Sequence, residues 1–316
     1  MFRVIHWFRR DLRLTDNTAL NAALTASREV VPVFILSDWK SRHPWTGPHR
    51  QQFLCDSLEA LDKNLGAIGG QLVIRSGDPI ECLLQLAKET GAESVFCNRD
   101  PDPHGRSLER KLERAFASER IGFERFKDHA LHERDEVLTQ AGGPFRVFTP
   151  YARAWQHLAK ASPGRRPTAW PSGTTVRSEP LPTHAHWNLQ PDGEILKGGE
   201  RAARERMQQF LKHAISHYRA QRDLLAADGT SRLSQDLRWG LLSIRELYQK
   251  CAQALQNATG PARQSIAAFI NELTWREFYF QILWHFPEVL DHEFNEKYRG
   301  LPWPGSGLTT PPILVT

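Results

Sequence analysis

The stretch FRVIHWF, residues 2–8, is the first of five short apolar runs that decide the fold. Each run is rich in β-branched and aromatic residues, a composition that favours a β-strand. The other four runs are VVPVFIL (30–36), QLVIR (71–75), SVFCN (94–98) and FERFKD (123–128). Segments with helical spacing lie between the runs, near residues 17–28, 49–65, 79–90 and 105–120. Strands that alternate with helices predict βαβ units and a parallel sheet covered on both faces.

The alternation stops near residue 130, where the pattern changes. Residues 160–199 are rich in Pro, Gly and Ser, as in ASPGRRPTAWPSGTT (161–175), which is typical of a linker or an ordered surface crossing. A helical pattern with no clear strand follows. Its first apolar stripe contains Ala203, Met207, Phe210, Leu211, Ala214, Tyr218, Arg222 and Leu225. We therefore predict an α/β class protein, with a Rossmann-like parallel-sheet domain (1–132), a linker (133–199) and a helical domain (200–316).

Two short motifs predict where helices begin. Asp78 and Pro79 combine an N-cap side chain with a first-turn proline. Ser243 and Glu246 have the spacing of a capping box. Both motifs place a helix start at a defined residue.

The composition is that of a soluble globular protein. Of the 316 residues, 40% are hydrophobic and 24% are charged, and the net charge of +5 permits a polyanionic partner. No apolar run is long enough to span a membrane, and the first residues do not form a signal peptide. The four cysteines are scattered without a CxxC pair, which predicts a cytoplasmic chain with neither disulfides nor a metal site.

The glycine-rich motifs of nucleotide enzymes are absent. Neither GxGxxG nor GxxxxGK[ST] occurs in the sequence. An α/β nucleotide-binding enzyme with a helical appendage therefore has little support, and the sheet alone does not define a function.

The segment NELTWREFYFQILW, residues 271–284, combines charges with an unusual density of aromatic rings. On a helix, Thr274, Glu277, Gln281 and His285 fall on one side, which predicts a solvated face. The opposite side carries Glu272, Arg276, Tyr279 and Leu283. Glu272 and Arg276 are four residues apart on this second side. They fit a structural ion pair or a site for a flat, polar ligand, and periodicity does not separate the two.

A second candidate site is TSRLS, residues 230–234, which follows the turn ADG (227–229). Hydroxyls and backbone N–H groups at the start of a helix suit a phosphate. The same residues also fit an ordinary N-cap with additional serines.

Taken together, these segments resemble the DNA photolyase/cryptochrome family. The resemblance lies in HWFRRDLRLTDNTAL (6–20), FRVFTPYARAW (145–155), Tyr218, TSRLS (230–234) and NELTWREFY (271–279). It implies an antenna chromophore in the N-terminal domain and FAD in the helical domain. It further implies that light-excited reduced FAD donates an electron to a pyrimidine dimer in DNA, a carbon–carbon lyase reaction. The expected partner is dimer-containing DNA, bound by a cytoplasmic monomer.

The resemblance also assigns roles to individual residues. Glu272 would hydrogen-bond the flipped-out dimer and Trp275 would pack against it, so these two are the expected catalytic residues. The residues expected to contact FAD are Tyr218, Thr230, Ser231, Arg232, Leu233, Ser234 and Arg276. The residues expected to contact DNA are Arg222, Glu272, Trp275 and Tyr279. Trp303 matches an outer tryptophan of the family's electron-transfer chain.

Two departures from the family leave alternatives open. Gly105 stands where folate-binding members carry a glutamate, so the antenna is either methenyltetrahydrofolate or 8-hydroxy-5-deazaflavin, if one is bound. After LPWPGS (301–306) the similarity ends in GLTTPPILVT (307–316), which predicts a truncated chain that binds flavin weakly. A cryptochrome-type blue-light photoreceptor and a non-catalytic remnant are the two alternative functions.

Overall fold

The computed structural model describes residues 2–37, 47–171, 176–187, 190, 193–299 and 301. Five parallel strands form one sheet in the order β3–β2–β1–β4–β5. The strands are β1 (Arg3–Phe8), β2 (Glu29–Leu36), β3 (Val73–Ser76), β4 (Ser94–Asn98) and β5 (Gly122–Phe126). The strand order changes direction between β1 and β4, the switch point at which doubly wound sheets usually bind ligands. The predicted parallel sheet is confirmed, with all five apolar runs forming strands.

Helices cover both faces of the sheet, and this explains why the inner strands β1, β2 and β4 are buried along nearly their whole length. They are α1 (Thr18–Ala26), α2 (Pro48–Gly66), α3 (Pro79–Thr90) and α4 (Pro103–Ser118). Along β1, Phe8 joins the apolar core on one face, whereas Ile5 and Trp7 join the core on the other. Asp78 caps α3 as predicted, because its carboxylate accepts hydrogen bonds from the backbone N–H groups of Ile80 and Glu81.

The segment assigned to a linker contains a buried helix, α5 (Phe148–His157). Tyr151 and Trp155 on this helix are each only 1% exposed. Further along, the Ser178 hydroxyl accepts a hydrogen bond of 2.9 Å from the Ile74 backbone N–H. Residues around Ser178 therefore run along β3 and satisfy part of an otherwise open sheet edge. The domain boundaries at 132 and 199 remain predictions.

The part of the chain after residue 199 is helical, as predicted, with no strand among the described residues 193–299. Its helices are α6 (Glu200–Gln209), α7 (Tyr218–Gln221), α8 (Ser234–Trp239), α9 (Ile244–Asn257) and α10 (Gly260–His285). The predicted apolar stripe is interrupted, because residues 210–214 form a π-helical turn and residues 215–217 a 3₁₀ turn. Leu225, at the end of that stripe, is fully exposed and lies outside any helix. No helix within the described ranges has the length and hydropathy of a membrane span.

A buried ion network joins the sheet to the later helices. Arg245 of α9 donates to Asp16 and to Asp128, each at 2.8 Å. Arg13 also donates to Asp128, and all four side chains are almost completely buried. Burial raises the pKa of Asp128, but Arg13 and Arg245 outweigh this effect and hold the pKa well below its ordinary range. The Ser243 hydroxyl caps α9 as predicted.

A close backbone crossing forms a second connection. α8 ends at Gly240, which has a φ of 62°, in the left-handed region. A Cβ atom at this position would lie 1.9 Å from the carbonyl oxygen of Arg10. The neighbouring Leu12 N–H donates to the Trp239 carbonyl at 3.1 Å. Only glycine allows the end of α8 to lie this close to the loop after β1.

Candidate functional site

Helix α10 carries four of the predicted site residues, and its faces are the reverse of the predicted ones. Thr274, Glu277 and Gln281 were expected on a solvated face, but each is at most 2% exposed. Tyr279, expected to be buried or to line a cavity, is 57% exposed. The prediction was wrong because it assumed that the polar side of the helix faces water.

The buried polar side of α10 instead binds the backbone that follows β5. The Glu277 carboxylate accepts hydrogen bonds from the N–H groups of Leu131 (2.5 Å) and His132 (3.1 Å). It also accepts one from the Trp155 indole at 2.6 Å. Gln281 accepts from the Phe145 N–H at 3.1 Å and donates to the Val137 carbonyl at 2.7 Å. These contacts fix α10 against residues 131–145 and thereby set the position of its outer face.

Arg276 and Glu272 have different partners, although they are four residues apart. Arg276 donates to the His129 carbonyl at 2.7 Å and lies over the Phe280 ring. Burial lowers the pKa of Arg276 to about 10. The Arg276 guanidinium therefore points toward the N-terminal part of the chain.

Glu272 pairs with Arg222, which follows α7. The Arg222 guanidinium donates to the Glu272 carboxylate at 2.5 Å, and both side chains are more than one third exposed. Tyr218 lies beside this pair, with the Arg222 guanidinium 5.9 Å from its ring centroid. The hydrogen bond from Arg222 to Glu272 raises the pKa of Arg222. Three predicted contact residues thus form one cluster.

Trp275 belongs to a stack of aromatic rings on the same face. The ring of Phe148, at the start of α5, lies 3.5 Å from the Trp275 ring with an angle of 7° between the planes. On α10, Tyr279 stacks on Trp275 at 5.5 Å and 26°. Because Glu272, Trp275 and Tyr279 share one face of α10, the four residues expected to contact DNA lie side by side on an open surface.

The segment Thr230–Ser234 forms a turn that leads into α8. Arg232 has a positive φ of 49° and pairs with Asp228 at 3.1 Å. The Ser231 hydroxyl accepts a weak hydrogen bond of 3.4 Å from the Leu233 N–H. Leu233 is buried, whereas the Thr230 and Ser234 side chains are exposed. The Thr230 and Ser234 hydroxyls and the Arg232 side chain are therefore accessible to an anionic ligand.

A cavity of about 650 Å³ lies at the switch point of the sheet. Residues that follow β1, β2 and β4 line it, and α8 closes one side. Its charged and aromatic lining consists of Trp7, Phe8, Arg9, Arg10, Arg50, Asp100, Asp102, His104, Arg238 and Trp239. Ser234 also lines it, which places one predicted FAD contact at the wall of this cavity.

The charges around the cavity are mostly paired. Arg10 donates to Asp100 at 2.7 Å and to Asp102 at 3.1 Å, while Arg9 pairs with Glu109 at 2.5 Å. Burial raises the pKa of Asp100, but Arg10 and Arg9 bring it below its ordinary range. The Arg9 guanidinium also lies 4.6 Å from the Trp7 ring centroid. The cavity thus combines flat aromatic surfaces with cationic groups.

Trp284, near the end of α10, lies between two arginines. The guanidinium carbons of Arg106 and Arg134 are 3.7 Å and 3.4 Å from its ring centroid. Arg106 also donates to the Trp284 carbonyl at 2.9 Å. This contact connects α10 to α4. Trp303, the predicted electron-transfer residue, lies outside the described residues.

Sequence reasoning missed several residues that shape the site. Phe148 was part of a quoted motif, but its stacking on Trp275 requires a long-range contact that periodicity does not show. Arg238 and Trp239 reach the cavity because the end of α8 lies against the loop after β1, a long-range contact that the sequence does not show either. Glu277 had a usable signal, namely an acidic residue in a strongly apolar segment, yet this signal was read as solvation.

The fold and the two sites define a class of protein: a doubly wound α/β domain with a switch-point cavity, joined to helices that present a charged aromatic face. The DNA photolyase family model matches residues 4–172, more than half of the chain. A deoxyribodipyrimidine photo-lyase from a Synechococcus species is 33% identical over 310 residues, covering 95% of this chain and 64% of that protein. The chain belongs to the DNA photolyase family.

Solved structures agree with this assignment. A bacterial class III photolyase from Agrobacterium tumefaciens has a TM-score of 0.86 at 31% identity, over 96% of this chain and 63% of that one. An archaeal photolyase from Sulfolobus tokodaii, solved with two FAD molecules, has a TM-score of 0.80 at 25% identity. That match covers 96% of this chain and 65% of the archaeal one. The chain therefore spans just under two thirds of the length of these relatives.

Proposed function

We propose that the chain is a flavin-dependent DNA photolyase that repairs cyclobutane pyrimidine dimers in DNA. The observation that carries this proposal is the open face on which Arg222, Glu272, Trp275 and Tyr279 lie side by side. A dimer must leave the duplex to be repaired, and a damaged base costs least to extrude. The extruded pyrimidines need a flat surface and a hydrogen-bond acceptor, which this face contains.

Each residue has a role that follows from its chemistry. The Glu272 carboxylate accepts hydrogen bonds from the N–H groups on the pyrimidine edge. The Trp275 and Tyr279 rings pack against the flat faces of the bases. The Arg222 guanidinium pairs with a backbone phosphate, which positions DNA without reading its sequence. When bound, FAD supplies the electron that opens the cyclobutane ring.

The residues proposed to hold FAD fit its phosphates and ribityl chain in chemical type. Tyr218, Thr230, Ser231, Arg232 and Ser234 provide hydroxyl donors and one cation, and Leu233 and Arg276 complete the proposed set. Arg232 has a positive φ in this turn, which leads directly into α8. The archaeal relative was solved with two FAD molecules, which supports flavin in this family fold.

The switch-point cavity is the proposed antenna site. Trp7 and Trp239 offer flat surfaces, and Arg50 and Arg238 offer cationic groups, which suits a planar chromophore with an anionic tail. A Cβ at Gly105 would lie 2.3 Å from the Asp100 Cβ, so a larger residue does not fit there without rearrangement. Binding of 8-hydroxy-5-deazaflavin and of methenyltetrahydrofolate, each followed by absorbance after desalting, distinguishes the two candidates.

The decisive experiment has two steps. The purified chain is first incubated with FAD and desalted, and its visible absorption is measured. It is then reduced and illuminated with a dimer-containing oligonucleotide, and dimer reversal is measured against a dark control. A retained flavin band with light-dependent reversal supports the proposal, and Glu272→Gln should then reduce the reversal.

The other outcomes identify the alternatives. A retained flavin band without reversal contradicts repair and supports a cryptochrome-type photoreceptor. A colourless protein contradicts flavin binding and supports a non-catalytic remnant. We further propose that the chain is cytoplasmic and monomeric, which sedimentation velocity would test for the oligomeric state.

A further inference from the structure

The side chains of two residues that are proposed to bind different parts of DNA form an ion pair with each other. Arg222 is proposed to bind a phosphate and Glu272 to bind the extruded base, yet they form an ion pair of 2.5 Å. A carboxylate that accepts from a guanidinium has less capacity to accept from a pyrimidine N–H. A guanidinium paired with a carboxylate likewise attracts a phosphate less strongly.

The ion pair between Arg222 and Glu272 is weak enough for Arg222 to exchange the carboxylate for a phosphate. The side chains of Arg222 and Glu272 are 37% and 38% exposed, so water and salt screen their attraction. Pairs of this kind change an equilibrium constant by about twofold to fivefold. A row of DNA phosphates presents a higher density of negative charge than one carboxylate, and it can therefore take over the arginine.

The backbone indicates which partner moves. Glu272 lies within the 26-residue helix α10, which Glu277 and Gln281 fix to the rest of the molecule. Arg222 lies just beyond the four-residue helix α7, and exposed residues follow it through Ala226. The guanidinium is thus at the end of a long side chain on a short element, whereas the carboxylate extends from a backbone that is fixed.

From these contacts we propose that Arg222 is a specificity-determining residue that masks Glu272 until DNA is bound. In the free protein the Arg222 guanidinium is bound to the Glu272 carboxylate. When a phosphate takes over the guanidinium, Glu272 becomes available to the extruded dimer. The proposal rests on DNA being the substrate, and it explains how phosphate docking is coupled to lesion recognition.

Binding to undamaged duplex DNA tests this inference without flavin, light or a lesion. Dissociation constants are measured at one low salt concentration for the wild-type chain, Glu272→Gln, Arg222→Gln and the double variant. Glu272→Gln releases Arg222 and should tighten binding by about twofold to fivefold. Arg222→Gln should weaken binding, and in its background Glu272→Gln should produce no larger gain than the loss of one surface charge does.

Glu205→Gln is a matched control for the loss of one negative charge. Glu205 is also exposed and paired with an arginine, Arg201, at 2.8 Å on a different helix. It should change the affinity less than Glu272→Gln does, and by the same factor with or without Arg222. Circular dichroism of each variant establishes that the fold is kept.

The outcomes separate this inference from the proposed function. An affinity gain for Glu272→Gln that equals the Glu205→Gln effect, or that is equally large without Arg222, overturns the masking role but leaves DNA binding intact. A wild-type chain that binds no DNA overturns both. A gain that requires Arg222 supports the masking role, whatever the repair assay shows.

Discussion

At the scale of single residues, Glu277 is a buried carboxyl group with a structural task. Its carboxylate accepts three hydrogen bonds, from Leu131, His132 and Trp155. Glu277→Ala leaves three buried donors without a partner, so we expect the free energy of unfolding to fall by about 3 kcal/mol. Urea denaturation measures this change.

The exposed Glu205 on α6 provides the control for Glu277. Its side chain is 57% exposed, and Glu205→Ala should change the free energy of unfolding by no more than about 0.5 kcal/mol. Equal losses for both variants would show that Glu277 contributes no more than a surface charge.

Three buried histidines make stability depend on pH. Burial lowers the pKa of His6 and His129 to about 3 and that of His132 to about 4. In the unfolded chain these rings take up protons near pH 6.5, so the unfolded state binds more protons between about pH 6.5 and pH 4. Each ring therefore contributes stability that is complete above pH 6.5 and is lost as the pH falls.

His132→Gln tests one of these three contributions. His132 faces Glu136 at 3.6 Å, while Lys160 and Lys127 oppose its protonation. Removing the ring should flatten the dependence of unfolding free energy on pH by up to about 1.4 kcal/mol per unit near pH 5. The exposed His213→Gln variant should retain the wild-type slope, and an unchanged slope in both would contradict a neutral, buried His132.

At the scale of elements, the end of α8 depends on a glycine. Gly240→Ala would place a methyl group 1.9 Å from the Arg10 carbonyl oxygen, in a left-handed backbone conformation. Backbone atoms on both sides must then move, so we expect a loss of about 3 kcal/mol or more in thermal or urea unfolding.

Gly260 is a control that separates the cost of the backbone conformation from the cost of a steric clash. It also has a positive φ, 54°, but a Cβ there would meet no atom within 4 Å. Gly260→Ala should therefore cost only about 1 kcal/mol, the penalty for the backbone conformation alone. Similar losses for both glycines would mean that the close crossing of α8 is not important for stability.

The sequence predicted the secondary-structure elements better than the tertiary contacts that their side chains make. The five strands and the Asp78 and Ser243 caps depend on neighbouring residues, so local pattern was sufficient for them. The burial of Glu277 depends on Leu131 and His132, which lie about 145 residues away in the chain. The helix α5 was missed because it adjoins a Pro- and Gly-rich segment, and the whole of residues 133–199 was therefore interpreted as a linker.

For the candidate site, likewise, the residues were predicted but their contacts were not. The resemblance identified Glu272, Trp275 and Arg222, and the structure places them together on one face. It did not show that Glu272 binds Arg222 instead of Arg276, because the i, i+4 spacing on α10 favoured the local pair. Phe148 beneath Trp275 was likewise unpredictable, since only the packing of α5 against α10 brings it there.

At the scale of the whole molecule, Arg245 holds the sheet and the helices together. Arg245→Met leaves Asp16 and Asp128 buried with one cation fewer, and we expect the free energy of unfolding to fall by about 3 kcal/mol or more. The exposed Arg201→Met variant should change it by no more than about 0.5 kcal/mol. If the two variants unfold alike in urea, the network is not what joins the two parts of the chain.

The position of Trp284 between Arg106 and Arg134 has a consequence for oxidation. Two positive charges within 4 Å of the ring faces make it harder to remove an electron from this indole. An electron hole created elsewhere in the protein is therefore repelled from Trp284 and settles on tryptophans without cationic neighbours. Arg106, which connects α10 to α4, and Arg134 thus together make this end of α10 harder to oxidise.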